Sequence, residues 1–90
     1  MNEARVQSIR DRLQVAFAPE YLEVEDESHL HEGHAGAASG LGHFRVTIVS
    51  SSFQEMGRMQ RHRAVYAALG SMMETDIHAL SVRALTADEI

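Results

Sequence analysis

Apolar residues at Val6, Ile9, Leu13, Ala16 and Phe17 recur at helical spacing between Glu3 and Phe17 and predict an amphipathic helix with one stripe on the core. Asn2 stands where an N-cap would, and Pro19 closes the segment because it fixes φ and disfavours helix in the residue before it. Tyr21 to Asp26 then alternates, with Leu22 and Val24 on one face and Glu23 and Glu25 on the other, which predicts a half-buried strand. Alternation resumes from His43 to Ser50, with Phe44, Val46 and Ile48 inward and Arg45 and Thr47 outward, so these two strands most simply pair as an antiparallel hairpin. After Ser50, Ser51 and Ser52 a second helical region extends to about Glu74, carrying Met59, His62, Tyr66, Leu69 and Met73 at helical spacing, with Gly57 as a break near its start. Ile77 to Ala84 predicts a third strand with His78, Leu80, Val82 and Ala84 on one face, and Thr86 to Glu89 has the spacing of a capping box that opens a last short helix.

A helical crossover makes strands two and three parallel if they are neighbours. The predicted fold is therefore α+β: a mixed three-stranded sheet with helices packed on one face. Ninety residues feed one core, so residues 1–90 are expected to form a single domain. An apolar fraction of 44% with 23% charged residues matches an ordinary folded domain rather than a disordered chain. No apolar run is long enough for a membrane span, and Met1 to Arg12 is charged rather than apolar like a signal peptide, so a cytoplasmic location without membrane contact is expected.

The absence of Cys removes disulfides, thiol nucleophiles and thiolate ligands from this chain. A net charge of -5 argues against general coating of nucleic acid, and all eight basic residues are Arg. Phosphate-loop and serine-elbow motifs are also lacking, so a partner-binding protein is favoured over an enzyme. Glu27 to Gly42 loses all periodicity and combines Gly33, Gly36, Gly40 and Gly42 with His29, His31 and His34. Long loops within compact domains are the first place to look for a site. The only basic cluster is Arg58, Arg61, His62 and Arg63, which reads either as a nucleic-acid surface or as an ion-paired helix edge.

Five segments together resemble the BolA family: Val24 to Ser28 leading into the histidine loop, Gly42-His43-Phe44-Arg45-Val46, Ser50 to Phe53, Arg61-His62-Arg63-Ala64-Val65-Tyr66, and Ile77-His78-Ala79-Leu80. The chain departs from the family where Phe53 is followed by Gln54 and Glu55, the glycine arriving only at Gly57, and in carrying three loop histidines. The resemblance implies a class II KH-like topology, in agreement with the order of elements read from periodicity.

It further implies a non-enzymatic adaptor that binds a monothiol glutaredoxin and shares a glutathione-ligated 2Fe-2S cluster, in iron-sulfur trafficking or in iron and redox sensing. No cluster is expected in the isolated chain, which is expected to be a monomer, with a homodimer as the alternative state. Imidazole can replace thiolate on one iron of such a cluster. By the resemblance His78 is the strand ligand and His31 the loop ligand, with His34, His29 and His43 in reserve; by spacing alone His78 reads as a packed core histidine. The family's other reading is a DNA-binding transcriptional regulator of stress response and cell morphology, acting through Arg58, Arg61, His62 and Arg63 and binding DNA weakly.

Overall fold

The computed structural model describes residues 2–31 and 40–90, Leu30 and His31 by their backbone alone. Helix α1 covers Glu3–Phe17 and strand β1 Tyr21–Asp26; a 3-10 turn, Ser28–His31, follows, and strand β2 runs over Gly42–Val49. A second 3-10 turn, Ser51–Phe53, leads to helices α2, Arg58–Leu69, and α3, Met72–Thr75; strand β3, Ile77–Leu85, precedes a last 3-10 turn, Ala87–Glu89.

The strands lie in the order β1, β2, β3, with β1 antiparallel to β2 and β2 parallel to β3, as the helical crossover requires. The core is built from Ile9 and Leu13 of α1, Phe44, Val46 and Ile48 of β2, Val65 and Leu69 of α2, and Ile77 and Leu80 of β3, sealed by Phe53 and Met72. Glu23, Glu25, Arg45, Ser81 and Arg83 are exposed on the opposite face of the sheet. Withdrawing each large apolar side chain from water contributes about 1.5–3 kcal/mol, which is why the alternation of Leu22, Val24, Phe44, Val46 and Ile48 fixes the register.

Three local expectations are corrected. Asn2 does not cap α1: its amide donates to the Ser28 hydroxyl at 3.2 Å and its carbonyl accepts from Arg5 at 3.2 Å. The second helical region breaks at Gly70 as well, whose φ of +55° suits glycine, and its buried residues are Val65, Leu69 and Met72, while Met59 is 63% exposed. His78 does not share the face of Leu80. Gly42 pairs with Ile77 but His43 pairs with Ala79, so β3 holds an extra residue at His78. This bulge lets Ile77 and Leu80, three apart, both enter the core, which an unbroken strand of period two forbids, and it leaves His78 exposed.

Candidate functional site

The sheet end formed by the close of β1 and the starts of β2 and β3 brings together His43, His78 and the 3-10 turn that carries His29. His43, 7% exposed, is the second residue of β2, and its ring lies 5.1 Å from that of His78, centroid to centroid, inclined by 53°. The 3-10 turn that carries His29 and His31 is held against the same place: the Glu27 N–H donates to the His43 carbonyl at 2.7 Å, and the His43 N–H donates to the Ser28 hydroxyl at 3.1 Å.

Ser28 is the junction that sequence reasoning missed. Its N–H donates to the Asp26 carboxylate at 2.9 Å, an Asx turn whose signal is the spacing Asp26-x-Ser28. Its oxygen accepts from His43 and Asn2, the two acceptances available to a hydroxyl. Burial alone would raise the Asp26 carboxyl, but the bonds from the Ser28 hydroxyl and N–H outweigh it and hold the group below its ordinary value.

Arg5, also missed, ties the far side. Its guanidinium donates to the Gly40 carbonyl at 3.0 Å and to the Asp76 carboxylate at 3.2 Å, while the Gly42 N–H donates to the Asp76 carbonyl at 2.9 Å. The Thr75 hydroxyl foremost, and then Arg5, lower the Asp76 carboxyl. Gly42 is required by close approach, because a Cβ there would collide with the Phe44 ring.

Of the expected metal ligands, His78 and His43 are therefore neighbours, His29 is exposed on the 3-10 turn, and His31 closes that turn. His34 lies outside the described residues, as does the stretch from Gly33 to Gly36. Among the described residues no three His, Cys, Asp or Glu side chains converge at metal-binding distance. The described side chains bring two imidazoles, those of His43 and His78, beside one another at this sheet end.

The basic cluster lies at the other end of β3. Arg61 is an internal tie: its Nε donates to the Met56 carbonyl at 2.9 Å, its Nη1 to the Ala84 carbonyl at 3.1 Å, and its two Nη atoms grip the Glu89 carboxylate at 2.5 and 3.0 Å. Chiefly through that guanidinium, and then the Thr86 N–H, the Glu89 carboxyl is lowered to about 2. Arg58 and Arg63 are exposed, and His62 stacks on Tyr66 at 4.6 Å, whose hydroxyl donates to the Leu80 carbonyl at 3.2 Å. A groove of about 580 Å³ is lined by Arg58, Arg61, His62 and Arg83 over Val82 and Ala84; Arg63 is not part of it, and Arg83 was not foreseen.

The order of elements and the pairing of the strands define a small α+β domain built on a mixed three-stranded sheet. The family model for BolA-like protein matches residues 13–89. The DNA-binding transcriptional regulator BolA of Haemophilus influenzae is 37% identical over 83 residues, covering 92% of this chain and 78% of the relative. BolA-like protein 1 of Mus musculus is 44% identical over 79 residues, which are 88% of this chain but only 56% of that protein. The solved BolA domain of SufE1 from Arabidopsis thaliana superposes with a TM-score of 0.85 at 37% identity, covering 97% of this chain and 96% of that one. The chain belongs to the BolA-like family. No helix among the described residues is long and apolar enough to cross a membrane.

Proposed function

We propose that this chain is an adaptor that binds a monothiol glutaredoxin and shares with it a glutathione-ligated 2Fe-2S cluster, His78 and His31 supplying the imidazole ligands. The observation that carries this reading is the bulge at His78. It turns the histidine out of the core to the sheet end where the turn bearing His31 is anchored. A ligand on a strand has a fixed Cα, whereas one on a turn keeps backbone freedom to adjust to the partner. Thiolates come from the partner and from glutathione, since this chain has no Cys. Replacing charged thiolate by neutral imidazole raises the cluster's reduction potential and couples it to pH.

The test is to mix the chain with a glutathione-loaded monothiol glutaredoxin and record visible circular dichroism. A spectrum distinct from that of glutaredoxin alone is expected, with no cluster retained by this chain when it is reconstituted by itself. An unchanged glutaredoxin spectrum, or a stable cluster in the pure chain, overturns the proposal.

A second reading, DNA binding, is favoured by the name of the H. influenzae relative and by the exposed Arg58 and Arg63 on α2. It ranks below the first because Arg61 is committed to Glu89 and the net charge is -5. With a log-log salt slope of about -0.9 per neutralised phosphate, binding through so few cations should be weak and fall by only about tenfold to fortyfold between low and physiological salt, and the Arg58→Ala, Arg63→Ala double variant should bind more weakly still. Tight, sequence-selective binding at physiological salt would put this reading first.

A further inference from the structure

We infer that His43 is a positioning residue for His78: its buried imidazole packs against the His78 ring and fixes the direction in which that ring faces the partner. The consequence for a shared cluster rests on the adaptor reading above; the ring contact itself does not.

An exposed histidine on a bulge has its Cα fixed but its ring free to turn about χ1 and χ2 among several wells. A ring held on one side by a fixed aromatic neighbour loses much of that freedom before any ligand arrives. His43 is such a neighbour. Its backbone is held from both directions, by the bond from the Glu27 N–H to its carbonyl and by the bond from its own N–H to the Ser28 hydroxyl. The residue is 7% exposed and both its ring nitrogens are buried, which allows the ring little reorientation. Its register partner on β3 is Ala79, and His78 is the extra residue beside it. The two rings meet at 5.1 Å and 53°, a tilted contact within the range of favourable aromatic pairs.

Position is thus passed along a continuous set of contacts: the Asp26 carboxylate holds Ser28, Ser28 holds the His43 backbone, and the His43 ring holds the ring of His78. His43 acts here by shape. A phenylalanine in its place keeps a flat ring of similar size and loses both nitrogens, so it separates packing from ligation.

The experiment is NMR of the isolated, histidine-labelled chain, followed by visible circular dichroism of its mixture with glutathione-loaded glutaredoxin. In the wild type, a nuclear Overhauser contact is expected between the His43 and His78 ring protons, with the His78 resonances displaced by the neighbouring ring. His43→Phe should keep the His78 displacement and the altered glutaredoxin spectrum. His43→Ala should lose the displacement and weaken the spectrum, the methyl resonances of Val46 and Ile48 reporting whether the core is intact. Should His43→Ala fail to fold, the wild-type contact and the phenylalanine variant decide alone.

Absence of the ring-to-ring contact in the folded wild type overturns the inference, as do unmoved His78 resonances in a folded His43→Ala. A His43→Phe variant that keeps the His78 displacement yet loses the altered spectrum also overturns it, since His43 would then act through a nitrogen. If the wild type leaves the glutaredoxin spectrum unchanged, the adaptor reading fails while the NMR result still decides the positioning role.

Discussion

The two ends of β3 use ionisable side chains in opposite ways. At its close, Arg61 of α2 is drawn inward: its side chain is only 12% exposed and its donors go to Met56, Ala84 and Glu89, so that cation closes the fold. At its start, His78 is turned outward by a bulge, and the structural bonds nearby are made by backbone groups, Ser28, Asp26 and Arg5. Both ends look chemically rich in the sequence. The arginine end spends its charge on holding the chain together, and the histidine end fixes its backbone and leaves a ring outside.

The largest stability effect should come from the framework of the histidine end. Gly42→Ala drives a Cβ into the Phe44 ring, which is 2% exposed and belongs to the core cluster. Overpacking of this kind costs about 1–3 kcal/mol, a fall in Tm of roughly 4–8 °C for each kcal/mol in a domain of this size. Thermal unfolding followed by far-UV circular dichroism measures it. An unchanged Tm would mean that the close approach at Gly42 relaxes freely and that this end is not rigid.

The topology was legible because burial demands it: Leu22 with Val24, and Phe44 with Val46 and Ile48, sit on the core side where period two puts them. The turn chemistry of Pro19 likewise marks the end of α1. The face of His78 was not legible, because the bulge arises from how β3 registers against Gly42 and His43, more than thirty residues away. In the α2 region Met59, His62 and Met73 lie one residue away in phase from the buried Val65 and Met72; i+3 and i+4 spacings admit both stripes, and only contact with the sheet selects one. Arg61 could not be separated from Arg58 and Arg63 for a similar reason, since its partner Glu89 is twenty-eight residues away.

A smaller effect, confined to the other end, is expected from Arg61→Ala. It removes the partner of Glu89 and the donors to the Met56 and Ala84 carbonyls, so Tm should fall while the glutaredoxin-dependent spectrum stays as in the wild type. The pH dependence follows from the sign of the Glu89 shift. Its folded value is lowered to about 2 from an ordinary 4.5, so the pair's contribution is fully present above pH 4.5 and is lost as pH falls toward 2. Asp26 and Asp76 are lowered as well, and both are present in wild type and variant alike. The difference between wild-type and Arg61→Ala melting curves over this window therefore isolates the pair, and should shrink steadily from pH 5 to pH 2. A difference independent of pH would show that Arg61 acts through its carbonyl bonds alone.

The smallest stability effect should accompany the largest functional one. His78 is exposed on a bulge, outside the core cluster, and its described contact is the ring of His43. Exposed substitutions of this kind change stability by no more than about 0.5 kcal/mol, so His78→Ala should melt within a few degrees of the wild type. Mixed with glutathione-loaded glutaredoxin, it should nevertheless lose the altered visible spectrum, because a strand position has no neighbour that can take over its place. Replacing His31 alone should weaken the spectrum only in part, since the turn and the segment after it also carry His29 and His34. The pairing of an unchanged Tm with a lost spectrum distinguishes His78 from Arg61, for which the reverse is expected. A His78→Ala chain that melts far below the wild type would make His78 a second structural residue, and the contrast between the two ends of β3 would fall. One that keeps both its stability and the wild-type spectrum would remove His78 from the ligand set.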